Sequence, residues 1–539
     1  MADRAPQRPA ADTRTAADTI PRMVRAGAQR HGSALAIVDG DIRLSFVDLE
    51  RAMTAVARGL VARGVHPGDR VALWAPNSAV WVVAATAVHA AGAWLVPLNT
   101  RLKGAEAASI LLAAGVRTLL VADGFLGTRY LDALHAADPD LQVLDAVALP
   151  LPGESSTPSW DALLEHGETV AVDVVDDRIR GVGPDDVSDV LFTSGTTGAP
   201  KGVMLRHGAS LEGYAVFAER FGLQAGDRYV IPTPFFHCFG YKAGWMASLM
   251  TGAVALPMAV FDADELLATI ERERITHLPG PPTIFGAVLD HPDRSGHDLS
   301  SLRHAMIGAT VIPAALVDRV RTELGVTTLS AYGLTESHAL ATLTAPEDPA
   351  EVVATTAGRP LPGVELRAVD DAGHDVEPGD DGELLIRSPW LMSGYLGDEE
   401  ATRAAIVDGW LRTGDVGHFD RDGYLHITDR KKDLYIMGGF NVAPAEVERA
   451  LARMPEVGQV AVIGVPDERF GEVGAAFVVP REGASVRAEA VLAFARERVA
   501  NFKVPRHVEV VDELPLNATG KVLKDVLRAR AAEQARAAR

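Results

Sequence analysis

The stretch Leu191-Phe-Thr-Ser-Gly-Thr-Thr-Gly-Ala-Pro-Lys-Gly-Val203 limits this chain's folding options more than any other. Thr193, Ser194, Thr196 and Thr197 carry hydroxyls, while Gly195, Gly198 and Gly202 let the backbone turn back and expose its amides. Such a loop forms a concave nest of N–H donors suited to phosphate oxygens, with Lys201 as a point charge at its rim. Short apolar strands, 190–192 and 203–205, enter and leave it. It is not a Walker A loop, because Pro200 stands where the second glycine belongs and Gly202 replaces the Ser or Thr. A plain polar turn would need no such density of hydroxyls, glycines and lysine, so the stretch reads as a phosphate site.

Composition narrows the partners. With 52 basic and 72 acidic residues among 539, the formal charge is −20. That balance argues against a general nucleic-acid or anionic-membrane binder, both of which need a basic footprint. The single cysteine, Cys238, excludes an intramolecular disulfide and suits a reducing, cytoplasmic setting. Residues 71–100 carry no formal charge and could be mistaken for a membrane span. Gly92 and Pro97 punctuate the run, and Pro76-Asn77-Ser78 reads as a helix start. A buried β-α-β unit explains it better, so no integral membrane segment is expected.

Apolar runs alternate with amphipathic helical stretches through most of the chain, which predicts an α/β fold with largely parallel sheets. Strands are expected at 117–122, 229–232 and 276–278, the last after a charged helix over 262–274, while 149–159 reads as a surface loop. Beyond about residue 365 the turn signals crowd together, predicting a β-rich subdomain. Thr428-Asp-Arg-Lys-Lys-Asp433 is either a solvated turn or a connector at which two lobes hinge. The residues after it suffice for a small α+β domain. The last residues, 528–539, read as a frayed helix or a disordered tail.

Four further segments carry candidate chemistry. Pro234-Phe-Phe-His-Cys-Phe-Gly240 packs three aromatics and His237 into a turn, where His237 alone reads more readily as a packed histidine than a catalytic one. In Ser330-Ala-Tyr-Gly-Leu-Thr-Glu336, Tyr332 could stack on a base and Glu336 could meet a metal ion held by phosphates. Trp410-Leu-Arg-Thr-Gly-Asp415 ends a predicted strand with a carboxylate placed for ribose hydroxyls, and Asn517-Ala-Thr-Gly-Lys521 sets a lysine on a turn near the C-terminus. Taken singly, Glu336 and Asp415 also read as ordinary loop acids and Lys521 as a solvated lysine.

In this order, TSGTTGAPKG, PFFHCFG, YGLTES, WLRTGD, DRKKD and NATGK resemble the acyl-adenylate-forming superfamily, across roughly residues 21–528. That group holds acyl-CoA synthetases, adenylation domains of peptide synthetases and beetle luciferases. The resemblance implies a large N-terminal domain of parallel-type α/β sheets plus a β-rich subdomain, over 21–428, after a disordered segment 1–20. It further implies a hinge at 429–433 and a small mobile α+β domain at 434–528, leaving a tail at 529–539.

It also implies roles. Thr193, Ser194, Gly195, Thr196, Thr197, Gly198 and Lys201 would hold the ATP phosphates, with Thr196 and Glu336 placing Mg²⁺. Gly308, Ala309, Thr310, Ser330, Ala331, Tyr332, Gly333 and Thr335 would line the adenine site, and Asp415 and Arg430 the ribose site. Lys521, Glu336 and His237 would be the catalytic set, with Lys521 bridging the acyl carboxylate and the α-phosphate, and Lys432 would mark the hinge. Phe236, His237, Phe239, Gly240 and His338 would shape the acyl pocket, His237 as its gate. Gly438, Gly439 and Phe440 would border the CoA tunnel.

The implied reaction is ATP-dependent ligation of a small-molecule carboxylic acid to CoA through an acyl-AMP. Adenylation with a carrier-protein thiol, an amine or nitrite as acceptor stays open as an alternative, and so does a homodimer. Within the superfamily, Phe235-Phe-His-Cys-Phe-Gly-Tyr-Lys-Ala-Gly244, Thr276-His-Leu-Pro-Gly-Pro-Pro282, Ile436-Met-Gly-Gly-Phe-Asn-Val442 and Asn501-Phe-Lys-Val-Pro-Arg506 are most similar to a group of actinobacterial ligases. That group activates the ring-bearing propionate left by steroid side-chain and ring degradation. Ser337-His-Ala-Leu340 departs from its pattern, and His338 points to a more polar acid.

Overall fold

The computed structural model describes residues 17–537 except 144, 152, 155, 194–199, 309–311, 431–432, 438–439, 468–469, 500 and 518–520. Two seven-stranded sheets form its body. One runs in the order Thr327–Leu329, His304–Ile307, His277–Gly280, Arg228–Ile231, Val254–Pro257, Leu35–Asp39, Ile42–Ser45, parallel except for the closing hairpin. The other runs Gly394–Tyr395, Lys201–Arg206, Val187–Thr193, Trp94–Pro97, Arg70–Trp74, Thr118–Val121, Asp145–Ala148. Its last five strands are parallel, and its first two pair antiparallel at one edge. The two strands predicted to flank the phosphate loop are therefore neighbours, with Thr193 opposite Lys201.

The uncharged stretch 71–100 is the expected β-α-β unit: Arg70–Trp74, helix Ala79–Ala90 and Trp94–Pro97. Ser78 caps the helix by accepting the Trp81 N–H, and the helix is buried along nearly its whole length. A helix apolar all round needs protein on every side, and here sheet and helices supply it. Among the described residues no helix is long and apolar enough to cross a membrane.

The β-rich subdomain is an antiparallel sheet of Glu365–Val369, Gly382–Arg387, Trp410–Phe419, Ile406–Val407 and Leu425–Arg430. A last sheet pairs Val457–Asp467 with Gly471–Pro480, with helices Pro444–Leu451, Ala488–Arg496 and Lys524–Ala537 beside it. Its core is its own, built on Tyr435, Val447, Leu451, Val462, Ala476 and Val491.

Several expectations shift. Residues 17–20 are not part of a disordered segment: Ala17 and Thr19 are buried and a helix starts at Ile20. Of the two readings of the tail, the helical one holds over 529–537, within the helix Lys524–Ala537, but the helix is tied down: Leu527 anchors it in the core and Arg530 pairs with Glu509. The loop expected over 149–159 gives way to a helix at Pro158, capped by Thr157. In the charged connector, Asp429 and Asp433 are buried, the first accepting the Ala445 N–H at 2.8 Å and the second paired with Arg528 at 2.6 Å. These two acids of the connector are therefore fixed by partners, not solvated.

A polar network lies inside the largest core. Asp189, on the strand leading to the phosphate loop, takes Lys242 Nζ at 2.5 Å, Tyr241 Oη at 2.6 Å and Ser188 Oγ at 2.6 Å. Lys242 also donates to Ser210 Oγ at 2.8 Å, and Tyr241 Oη meets His89 Nε2 at 2.8 Å. Burial alone would raise the Asp189 carboxyl, but Lys242, then His89, outweigh it and hold the group well below the usual range. Removing one partner would strand a charge in the core. Lys242→Ala is expected to lower stability by about 3–5 kcal/mol. Asp189→Asn combined with Lys242→Met should cost much less than the two single changes added together. Denaturant unfolding followed by tryptophan fluorescence measures this, and strict additivity would contradict the pairing.

Candidate active site

Three distant segments meet around Lys201, the lysine of the predicted phosphate loop. The strand Lys201–Arg206 pairs antiparallel with the two-residue strand Gly394–Tyr395, setting Tyr395 opposite Val203. Lys201 Nζ then lies over the Tyr395 ring, 4.9 Å from its centroid. From the other side, Tyr395 Oη donates to Glu336 Oε1 at 2.9 Å, and the Met392 N–H donates to the Glu336 carbonyl at 2.8 Å. Lys201 and Glu336, both predicted from sequence, are thus brought together around Tyr395, which was not. Its signal was a bare Ser393-Gly394-Tyr395, too short to show a period. Ser194, Gly195, Thr196, Thr197 and Gly198 lie outside the described residues, as do Ala309, Thr310, Lys432, Gly438 and Gly439.

Tyr332 and Gly333 follow a β-strand, as expected, and Glu336 lies in a 3-10 turn, Thr335–Ser337. A Cβ on Gly333 would overlap the backbone at Ala339 and Leu340, so glycine is what lets this returning chain pass so close. The return is tight: His338 and Ala339 both take positive φ, 56° and 58°. Tyr332 Oη donates to Asp415 Oδ2 at 2.6 Å, and Asp415 stands opposite Arg430 across the strands Trp410–Phe419 and Leu425–Arg430. The predicted base and ribose residues therefore share one neighbourhood. Asp415 does not end its strand, however. Gly414 has φ 68° and the pairing register shifts just beyond, so one irregular ten-residue strand reads as two.

Other predicted residues have more structural duties. Ser330 is buried, donating its hydroxyl to the Thr356 carbonyl at 3.2 Å. Ala331 is half-buried in a short strand, and the Gly308 N–H donates to the Gly280 carbonyl at 3.2 Å. Phe440 opens a strand, Phe440–Val442, antiparallel to Tyr435–Met437. Lys521 is exposed; its N–H donates to Asn517 Oδ1 at 2.9 Å, and Leu516 and Val522 bridge beside it.

The aromatic turn reads differently in detail. Phe236 is buried and its ring tilts against His237 at 4.8 Å, while Phe239 packs on the main core. Gly240 offers no face to a pocket: a Cβ there would overlap the carbonyl oxygens of Thr233 and Pro234. A larger residue would break the turn before it filled any cavity. Beyond it the chain widens into a π turn, Tyr241–Met246, which delivers Tyr241 and Lys242 to the same carboxylate.

Burial fixes the charge of the two predicted pocket histidines. It pulls His237 down to about 4, and its Nε2 finds no partner among the described residues. Burial, helped by Lys242 and weakly opposed by the Trp390 backbone, pulls His338 down to about 3; neither ring nitrogen makes a hydrogen bond of good geometry. Both are neutral at pH 7. The same cause holds His89 at about 4 and His277 at about 3.

A histidine that titrates near 6.5 unfolded but below 4.5 folded leaves the unfolded state with more protons, so stability falls as pH drops below about 6.5. Each such group contributes up to about 1.4 kcal/mol per pH unit in that window. Denaturant midpoints should therefore drop steeply between pH 6.5 and 4.5 and level off above 7. A flat profile across that range would show these rings to be protonated in the folded chain.

Comparison with known proteins assigns the chain a family. The family model for AMP-binding enzymes matches residues 24–396, and that for the AMP-binding enzyme C-terminal domain matches 446–521. A Mycobacterium tuberculosis protein is 49% identical over 521 residues, covering 96% of this chain and 99% of its own length. It is named a ligase of CoA with a 7a-methyl-1,5-dioxo-octahydroinden-4-yl propanoyl group. A Rhodococcus jostii protein of the same name is 47% identical over 516 residues, covering 95% of this chain and 98% of its own. Among solved structures, the anthranilate CoA ligase AuaEII in complex with anthranoyl-AMP aligns with TM-score 0.83 at 28% identity, over 95% of this chain and 97% of that one. With matched models spanning both its parts, this chain belongs to the AMP-binding enzyme family.

Proposed function

We propose that this chain is an ATP-dependent, AMP-forming acid:CoA ligase that activates a bulky, ring-bearing propionate. The observation that carries this reading is the 49% identity, across nearly the full length of both chains, to a ligase of a bicyclic diketone propanoyl group. The chemistry suits the site. A carboxylate is a poor electrophile, so an oxygen of the acid first attacks the α-phosphorus of ATP and pyrophosphate leaves. The CoA sulfur then attacks the acyl carbon of the mixed anhydride and AMP leaves. Neither step needs a protein nucleophile; both need reactants held in line and developing charge met by fixed dipoles and cations.

In this reading Thr193 to Gly198 and Lys201 hold the β- and γ-phosphates. Gly308 to Thr310 and Ser330 to Thr335 line the adenine site, with Tyr332 against the ring, and Asp415 and Arg430 take the ribose. The donor set fits Mg²⁺, a hard cation preferring oxygen: among the described residues only Tyr395 bonds the Glu336 carboxylate, and only at Oε1. Thr196 and Glu336 would hold the ion, which shields phosphate charge when bound. Phe236, His237, Phe239 and His338 surround the acyl group as a neutral, largely apolar wall, and Gly438 to Phe440 border the CoA tunnel. The unit 434–528 turns about 429–433, with Lys432 at the pivot.

The reaction is tested by supplying ATP, CoA and a panel of acids, from acetate to ring-bearing propionates, and identifying products by mass spectrometry. AMP and an acyl-CoA are expected, fastest with the bulky propionates. ADP as the stoichiometric product would overturn adenylation, and turnover to AMP indifferent to CoA would point to an amine or nitrite acceptor. Within this scheme Lys521→Ala removes a charge contact made mainly in the adenylation transition state, costing about 3 kcal/mol, roughly a hundredfold or more in rate. Thioester formation from synthetic acyl-AMP should be nearly untouched. Lys432→Pro, which fixes φ at the pivot, should do the reverse. If single-turnover timing shows both variants slowing the same half-reaction, the domain-rotation scheme fails for this protein.

A further inference from the structure

Lys201 and Glu336 have opposite charges and touch the same side chain, yet among the described residues they form no ion pair with each other. Tyr395 meets them through different parts: its ring face carries the ammonium and its hydroxyl holds one carboxylate oxygen. The tyrosine itself has little freedom. Its N–H donates to Thr402 Oγ1 at 2.8 Å, the next N–H, of Leu396, donates to the Gly202 carbonyl at 2.7 Å, and strand pairing sets it opposite Val203. A Cβ on the preceding Gly394 would crowd Thr402, and that glycine's φ of 142° is one that few other residues adopt. The hydroxyl is the donor in its contact with the Glu336 carboxylate.

A lysine and a glutamate left at the rim of a phosphate site would tend to neutralise each other. A ligand would then have to break that pair before using either charge. Contacts to a neutral ring and a neutral hydroxyl are weaker and exchange more readily for phosphate or metal. We propose that Tyr395 is a positioning residue for adenylation, holding Lys201 and Glu336 in two separate neutral contacts so that both charges meet MgATP uncompensated. This rests on the assignment of Lys201 to phosphate and Glu336 to the metal ion, and adds a third residue that sets their availability. Pre-ordered, unpaired charges need less rearrangement on binding.

The two contacts can be separated. Tyr395→Phe keeps the ring face and deletes the hydroxyl; Tyr395→Leu deletes both. ATP binding is measured by calorimetry, first in EDTA and then across graded Mg²⁺, with thermal midpoints recorded and Lys201→Ala and Glu336→Gln as references. For Tyr395→Phe, metal-free ATP affinity should stay within about twofold, while the Mg²⁺ concentration giving half the metal-dependent gain rises about tenfold. Tyr395→Leu should in addition weaken metal-free binding about five- to tenfold. In a Glu336→Gln background, Tyr395→Phe should shift the Mg²⁺ dependence no further. A Tyr395→Phe protein with an altered thermal midpoint but unmoved Mg²⁺ dependence would overturn the proposal. So would metal-free ATP binding unchanged in Tyr395→Leu. If Lys201→Ala and Glu336→Gln themselves leave both measurements unchanged, the assignment of those two residues is what fails, and the proposal with it.

Discussion

Asp189 sits wholly out of water, four residues before the predicted phosphate loop begins at Thr193, and it stays an anion because Lys242, then His89 and Ser188, outweigh its burial; Tyr241 donates to it as well. Its oxygens are shared out, Oδ1 to the tyrosine and Oδ2 to the lysine and serine. That division fixes the rotation of the strand feeding the loop. Lys242 and Tyr241 belong to the π turn that follows the aromatic segment proposed to face the acid. One buried carboxylate thus ties the strand that runs into the predicted phosphate loop to the turn that follows the aromatic segment. Tyr241 stacks on Trp245 and meets Trp81 edge-on, and Trp81 in turn packs edge-on against Phe235 and Trp245, so the π turn cannot shift without disturbing the core.

Nothing in the sequence marked that pair. Asp189 lies inside an apolar strand and Lys242 inside a Gly- and aromatic-rich run, places where single charges read as noise until the fold brings them together. The elements themselves were largely legible. Hydrophobic alternation and punctuation located the strands around the phosphate loop, the β-α-β unit at 71–100 and the small α+β unit after residue 434. Local periodicity sufficed there because each element buries one continuous face. Legibility failed where irregular backbone broke the period, as at Gly414, where one bent strand reads as two and Asp415 reads as the end of the first. It failed again for Tyr395, whose strand has two residues and whose partners lie 59 and 194 positions away.

Among the candidate site residues, types with one strong chemical use were readable. Lys201, Glu336, Tyr332 and Asp415 were singled out by residue type and local motif, and the fold places them in two adjoining contacts: Lys201 and Glu336 about Tyr395, Tyr332 on Asp415. Glycines were readable as necessary but not as to why. Gly333 is needed because a returning backbone passes against it, whereas Gly240 is closed off by the carbonyls of its own turn and cannot tune a pocket. The histidines were ambiguous for a physical reason. A sequence does not show burial, and burial is the main cause that keeps His237 and His338 neutral.

The placement of charge follows from a chemical demand. An activated acyl group must be kept from water, yet the atoms that activate it are highly charged. In the proposed scheme the neutral imidazoles of His237 and His338 beside Phe236 answer the first need, and Lys201 and Glu336, each resting on a neutral part of Tyr395, answer the second. Lys521 differs from both: it is exposed, on a unit with a separate core around Tyr435, Val447 and Leu451. A unit with its own core can change orientation without exposing apolar surface from the larger one, since its stability does not rest on that packing. In the proposed scheme, carrying Lys521 on such a unit would let its charge be presented for the first half-reaction and withdrawn for the second, while Lys201 and Glu336 stay against Tyr395.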